Sequence, residues 1–211
     1  MGESIGQILL NKKIITESQL QTALDRQARD RKKYLGQILC EMGVPQSKLI
    51  RALQFSNKRQ QIGQILEDMK LVTPEQIQAA LAEQSRLLKE KIRKPLGAVL
   101  VSMQIINEDS YVNALSAHYS MPIVSLKGFL VAESFQRAIG EQYALRNRIV
   151  VVENNPYRII AAIAEPNLLI FEEIEKGLPS GKSIIFCIAK ASEIELALNM
   201  KYDPYVTSSY K

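Results

Sequence analysis

The sequence predicts an α+β protein: an N-terminal all-helical region of four helix-hairpin repeats, followed by a small α/β sandwich with a three- to four-stranded sheet. Three observations carry this prediction. One pattern recurs four times before residue 118; short runs beyond it are apolar at most positions; and turn clusters separate those runs from stretches of helical periodicity. The expected divisions are 1–118 for the hairpin region, 119–202 for the α+β domain and 203–211 for a tail without periodicity.

The repeat is read from "SIGQILLNKKIITESQLQTALDRQ" (4–27), "YLGQILCEMGVPQSKLIRALQFS" (34–56), "QIGQILEDMKLVTPEQIQAALAEQ" (61–84) and "PLGAVLVSMQIINEDSYVNALSAH" (95–118). Each copy places an apolar residue before a glycine, at Ile5-Gly6, Leu35-Gly36, Ile62-Gly63 and Leu96-Gly97, with Leu9, Leu39, Leu66 or Leu100 one turn on. A second segment then starts at Thr16, Thr73 or Asn107, or after Pro45 in the second copy, which is one residue shorter. Thr16 with Gln19 and Thr73 with Gln76 spell capping boxes, in which hydroxyl and amide satisfy helix-end N–H groups reciprocally. Leu20, Ala23 and Leu24, Ile77, Ala80 and Leu81, and Tyr111, Ala114 and Leu115 then recur at helical spacing. Each repeat is therefore a short helix, a tight turn and a longer helix that buries its apolar stripe on its neighbours. Glycine inside a helix costs about 1 kcal/mol relative to alanine. Its presence in all four short helices implies a close approach, by another helix or by a ligand.

Beyond His118, "MPIVSL" reads as a short strand and "AESFQRAIGEQYALR" as a helix. "RIVVVENNPYRIIAAIAEP" reads as two strands joined at Asn154-Asn155-Pro156. The helix "NLLIFEEIEK", the strand "SIIFCIAK" and a last helix "ASEIELALNMKY", capped at Ser192 or in the loop at Ala191, complete the domain. "GLPSGKS" (177–183) mimics a phosphate-binding loop but has one residue too few before Gly181-Lys182-Ser183. It also lies between a helix and a strand, the reverse of the order such a loop needs. Gly177 is expected to be the left-handed residue that ends the helix.

Composition narrows the function. With 211 residues and 46% hydrophobic content the chain can bury a substantial core, and no apolar run approaches the ~20 residues of a membrane span. Its start lacks the layout of a signal peptide, so the expected location is cytoplasmic. Cys40 and Cys187 sit in apolar segments as buried free thiols; one His and two Cys provide no zinc cluster, and His118 has no nucleophile motif beside it. No catalytic residue and no metal ligand is assigned, and the chain reads as a non-enzyme. Net charge is +5, concentrated in residues 1–60, where 11 Lys/Arg face 5 Asp/Glu. The run "RQARDRKK" serves an anionic partner or, more simply, a helix end whose cations oppose the dipole. Nucleic acid is the weakest of those partners, since aromatic residues make up 6% and no stacking platform accompanies the charge.

The repeat, written xLGQxLxxxGxITxxQLxxALxxQ, together with the strand, helix and hairpin order that follows, resembles the N-terminal domain of type II secretion and type IV pilus assembly ATPases. The resemblance covers nearly the whole chain. It implies a docking or regulatory module whose partners are secretion or pilus assembly proteins, among them the cytoplasmic part of an inner-membrane component. The ATPases' own phosphate-binding loop belongs to a later domain, so no ATP hydrolysis is implied for these residues. In some members paired repeats bind cyclic di-GMP, which implies a ligand-binding set of Gly6, Gln27, Leu35, Gly36, Gly63, Gln84, Leu96 and Gly97 and no other cofactor. The pattern departs from those members where they have Arg before Leu-Gly: Ser4, Tyr34, Gln61 and Pro95 stand there instead. Ser56 and His118 replace two of the closing Gln residues, while Lys33, Arg59 and Lys94 lie close enough to offset the missing cations in part.

Overall fold

The computed structural model describes residues 4–31, 33–54 and 62–201. Four helical hairpins come first: α1 (Ile5–Asn11) with α2 (Glu17–Arg29), α3 (Leu35–Glu41) with α4 (Gln46–Gln54), α5 (Ile62–Asp68) with α6 (Pro74–Lys89), and α7 (Leu96–Ser102) with α8 (Glu108–Tyr119). Both capping boxes form: Thr16 Oγ1 accepts from Gln19 N at 3.2 Å while Gln19 Oε1 accepts from Thr16 N at 2.9 Å, and Thr73 and Gln76 repeat the exchange. Asn107 Oδ1 caps α8 through Ser110 N at 2.7 Å. The turn inside each hairpin needs one left-handed residue, filled by Lys13 (φ 54°), Gly43 (φ 91°), Lys70 (φ 56°) and Gln104 (φ 58°). The short helices have only 7 residues each, too few to persist without the tertiary contacts that bury them.

The sheet follows in the order β1 (Val150–Asn154), β2 (Arg158–Ile163), β3 (Ser183–Ile188). β1 and β2 form an antiparallel hairpin, closed by Asn155 Oδ1 accepting from Tyr157 N and Arg158 N at 2.9 and 2.8 Å. β3 runs parallel to β2 after the crossover helix α11 (Leu168–Gly177). The strands are apolar at nearly every position because both faces are covered. One face (Val151, Ile159, Ala161, Ile184, Phe186) joins a core with Leu66, Leu100 and Leu115 of the third and fourth hairpins and Phe171 of α11, whose ring stacks on Phe186 at 4.0 Å. On the other face, Ile185 and Cys187 meet Leu9, Ile38, Leu39 and Leu49 of the first and second hairpins. Val150 and Ala162 meet the last helix, α12 (Ala191–Lys201). The two hairpin pairs thus sandwich the sheet, and the apolar core runs through residue 118 without a break.

A three-stranded sheet has two edges, and a buried glutamine closes each. On the β3 side, Gln46 at the start of α4 donates to Phe186 O (3.1 Å) and accepts from Phe186 N (2.8 Å). On the β1 side, Gln136 donates to Ile149 O (2.9 Å) and accepts from Val151 N (2.7 Å). A primary amide carries one acceptor and two donors in the peptide's own geometry, so each side chain takes the place of a missing strand residue. Edge pairing to a partner at these positions is already occupied from within the chain.

Several local expectations change. "MPIVSL" forms a single bridge, Ile123 to Ile188, rather than a strand. Pro122 has no N–H, and Leu126 N turns away to Glu193 Oε2 at 2.6 Å. The helix expected over "AESFQRAIGEQYALR" is broken into α9 (Glu133–Gln136), a 3-10 turn (Arg137–Ile139) and α10 (Glu141–Arg146), because Gly140 takes φ 85°. Gly177 is the last helical residue and not left-handed; Gly181 holds the positive φ of the following turn, at 82°. Within that turn Lys182 Nζ donates to Asn154 Oδ1 at 2.6 Å, so the phosphate-loop look-alike serves as a brace to the β1–β2 hairpin. Ser192 does not cap α12 from outside. It is the second residue of the helix, and its N–H and hydroxyl both go to the Glu108 carboxylate at the start of α8. Ser47 in α4 gives its N–H and hydroxyl to Glu175 of α11 in the same manner. Acceptors placed at these helix N-termini come from other helices, which locks the hairpins to the sheet domain.

Candidate functional site

The glycines of the repeat report first on packing. A Cβ on Gly6 would stand 2.8 Å from Leu20 Cδ1, and one on Gly63 would stand 3.3 Å from Leu96 Cδ2 and 3.6 Å from Ile77 Cγ2. On Gly97 it would fall 1.9 Å from Tyr111 Cε2, overlapping the hydroxyl-bearing edge of the ring. Leu20, Ile77 and Tyr111 hold the same place in their hairpins, so at Gly6 and Gly97 the close approach is that of the long helix to the short one, while at Gly63 Leu96 of the next short helix comes nearer than Ile77. Gly36 differs: Ser120, the left-handed residue ending α8, lies 3.0 Å from its notional Cβ and joins the first hairpin pair to the second.

The closing glutamines tie the repeats into pairs. Gln27 Nε2 donates to Lys33 O at 3.0 Å and Gln84 Nε2 to Lys94 O at 2.7 Å, each fixing the carbonyl just before the next short helix. Leu35 and Leu96, half-buried, start those helices and pack against the cores. Three of the positions where the resemblance would place Arg, Ser4, Tyr34 and Pro95, are the N-caps of the short helices; Gln61 and the expected cation Arg59 lie outside the described residues. Lys33 is engaged by Glu41 at 3.0 and 3.1 Å. Of the expected set, Gly63, Gln84, Leu96 and Gly97 come together around the third and fourth hairpins, and Gly6, Gln27, Leu35 and Gly36 belong to the first pair.

Beside the third and fourth hairpins lies a cavity of about 720 Å³. The α6–α7 linker contributes Arg93, Lys94 and Pro95; α8 contributes Tyr111 and Leu115; the loops around the sheet contribute Arg148, Glu165 and Asn167. Tyr111 Oη donates to Glu165, 2.7 and 2.9 Å from its two oxygens. Gly97 makes this possible, because only a residue without a side chain lets the Tyr111 ring lie against α7. The result is a carboxylate in an apolar wall of a cavity whose lining also includes Arg93, Lys94 and Arg148. Burial pushes the Glu165 carboxyl up to about 7, against the opposing pull of the Tyr111 hydrogen bond, and burial with the neighbouring carboxylate pushes the Tyr111 phenol well above its ordinary value.

The sign of this shift fixes a pH dependence. A carboxyl with a raised folded pKa favours the protonated native state; that contribution is complete below the unfolded pKa and is lost as pH rises through about 7. Stability is expected to fall by on the order of 2 kcal/mol between pH 4.5 and 7.5 from this group alone. Denaturant melts of Glu165→Gln should lack that component; an unchanged pH slope would show that the carboxyl is not perturbed.

Sequence reasoning passed over Tyr111, Arg93, Arg148 and Glu165 as site residues. Two signals were present: an aromatic residue where Leu20 and Ile77 stand in their hairpins, and Glu165-Pro166 directly after an apolar strand. Among the described residues no group of three or more His, Cys, Asp or Glu is placed to hold a metal ion, and no helix is long and apolar enough to cross a membrane. Cys40 and Cys187 are free and buried, and burial pushes the Cys187 thiol up to about 12 and Cys40 higher still, which makes both poor nucleophiles.

Part of the chain is similar to known proteins. Residues 119–205 match the model of the MshEN domain. The fold is similar to a solved structure of MshE with cdg, at 23% identity and a TM-score of 0.56, over 68% of this chain and 100% of that one. The N-terminal domain of XpsE is matched at 14% identity and a TM-score of 0.49, over 67% of this chain and 96% of that one. No curated protein matches the chain.

Proposed function

We propose, on the premise that residues 119–205 carry an MshEN domain, that the chain is a non-enzymatic docking and regulatory module of a secretion or pilus assembly machine. The observation that carries this reading is the shared core: the third and fourth hairpins and the MshEN part pack as one body around a cavity at their junction. A ligand seated there touches both parts, so its binding changes how the hairpins rest on the sheet. With both sheet edges closed by glutamine, protein partners dock on helix faces. Co-purification with the cytoplasmic part of an inner-membrane assembly protein tests the docking. If neither that protein nor an assembly ATPase is retained, the module has another role.

A second reading concerns the ligand. MshE has been solved with cdg, read here as cyclic di-GMP, and the chemistry of the cavity suits an anionic, purine-bearing molecule. Arg93, Lys94 and Arg148 supply charge for phosphate, and Glu165, once ionised above about pH 7, accepts from the N–H edge of a guanine beside its bond from Tyr111. Calorimetry with cyclic di-GMP is expected to show binding that Arg93→Ala weakens by about 1–3 kcal/mol. Glu165→Gln, which replaces one acceptor by a donor, should weaken it by a similar amount. Absence of heat with the unaltered chain at high ligand concentration would end this reading and leave the docking role standing.

A further inference from the structure

The linkers within the two hairpin pairs differ in a way that neither packing nor the ligand cavity explains. The glutamine-to-carbonyl tie spans 6 residues from Gln27 to Lys33 but 10 from Gln84 to Lys94. The longer linker extends α6 to 16 residues against 13 for α2, and ends it in "RLLKEKIRK" (86–94). Every residue from Leu88 to Pro95 is exposed, including two large aliphatic side chains, Leu88 at 57% and Ile92 at 43%. The stretch 86–94 holds five cations and one acid, a net +4. Arg86 is held by Glu83 at 2.7 Å and by Glu90 at 2.5 Å, so the local acids are engaged by a single arginine. Lys89, Lys91, Arg93 and Lys94 then present their charge around Leu88 and Ile92. The shorter linker is also basic, but it has no leucine or isoleucine between Gln27 and Lys33.

Exposed aliphatic residues ringed by lysine and arginine suit one environment in particular. A bilayer with anionic headgroups takes the apolar side chains into its acyl boundary and the cations into its negative surface layer. Long Lys and Arg stems lie along the apolar surface while their heads stay in water, which lets both kinds of residue act from one short turn. We propose that residues 86–94 form a membrane-surface element: Leu88 and Ile92 enter the headgroup region of an anionic bilayer, and Lys89, Lys91, Arg93 and Lys94 bind its lipid phosphates. Arg93 and Lys94 also line the cavity beside Glu165, but Leu88, Lys89, Lys91 and Ile92 do not, so variants at those four positions test this proposal separately from the ligand reading.

Vesicle co-sedimentation of the whole chain tests it, with phosphatidylcholine alone and with phosphatidylglycerol added. Binding is expected only to the anionic vesicles and should weaken as salt is raised. Lys89→Glu with Lys91→Glu should lower the partition coefficient about 25-fold or more, at about fivefold for each lost cation. Leu88→Gln should lower it about tenfold at unchanged net charge. Circular dichroism confirms that these surface variants remain folded, and Arg137→Glu, on the remote 3-10 turn, serves as a charge control that should bind normally. The proposal is overturned by equal binding to neutral vesicles, by full binding of both variants, by complete release with millimolar inorganic phosphate at constant ionic strength, or by binding to nucleic acid but not to vesicles.

Discussion

Gly97→Ala should be among the most damaging single-methyl additions the chain can undergo, lowering stability by about 3 kcal/mol. Helix propensity argues the other way, favouring alanine by about 1 kcal/mol. The added Cβ, however, would lie 1.9 Å from Tyr111 Cε2 and 2.1 Å from Cζ, and an aromatic ring cannot fold aside as an aliphatic chain does. Moving the ring breaks the bond to Glu165 and leaves the carboxyl in its apolar wall without that donor, a loss of about 1.5–3 kcal/mol in addition to the overpacking strain. Gly6→Ala provides the contrast. There the nearest atom, at 2.8 Å, is a terminal methyl of Leu20, which can change rotamer, and the net effect should be close to zero. Denaturant melts of the two variants measure the difference. The double variant Gly97→Ala with Tyr111→Leu should recover part of the loss, and equal effects of the two alanines would refute the ring-packing explanation.

Gln136→Leu is expected to cost about 3–4 kcal/mol, and Gln46→Leu slightly less. Leucine matches glutamine roughly in volume, so little cavity is created; what disappears is the amide that joins two backbone groups at each edge. A buried N–H or C=O left without a partner costs about 1–3 kcal/mol. Gln136 is fully buried and Gln46 is 3% exposed, so water does not readily replace the amide at either position. The substitution also uncovers a strand edge, and Gln136→Leu should aggregate on warming at concentrations where the unaltered chain does not. Light scattering alongside the melt checks this, and a variant as stable and as soluble as its parent would show that the edges are protected by other means.

The parts of this molecule that were legible in the sequence are those written locally. Thr16 with Gln19 and Thr73 with Gln76 announce helix starts because both partners of each bond lie three residues apart. The Asn154-Asn155-Pro156 turn and the strands beside it were readable for the same reason. The expected close approach at the repeat glycines was only half legible: periodicity marked the positions, while the residue filling each space depends on the facing helix, and for Gly36 on Ser120 of another hairpin. Glu165 meets Tyr111 across 54 positions and Gln46 meets Phe186 across 140, separations over which a sequence pattern carries no distance information. "AESFQRAIGEQYALR" failed as one helix because Gly140 takes a positive φ that breaks it, which the helical periodicity on either side does not reveal.

The position of the first hairpin pair also has a consequence for how the chain is made. Leu9, Ile38, Leu39 and Leu49 rest on Ile185 and Cys187, which leave the ribosome long after residue 54 has emerged. At about 5–20 residues per second, roughly 7–26 seconds separate synthesis of these hairpins from synthesis of the strand that covers them. During that interval the pair presents an apolar face with no sheet beneath it. Nascent-chain association with a holding chaperone should therefore peak between the second hairpin and β3, and decline once Phe186 is available to Gln46.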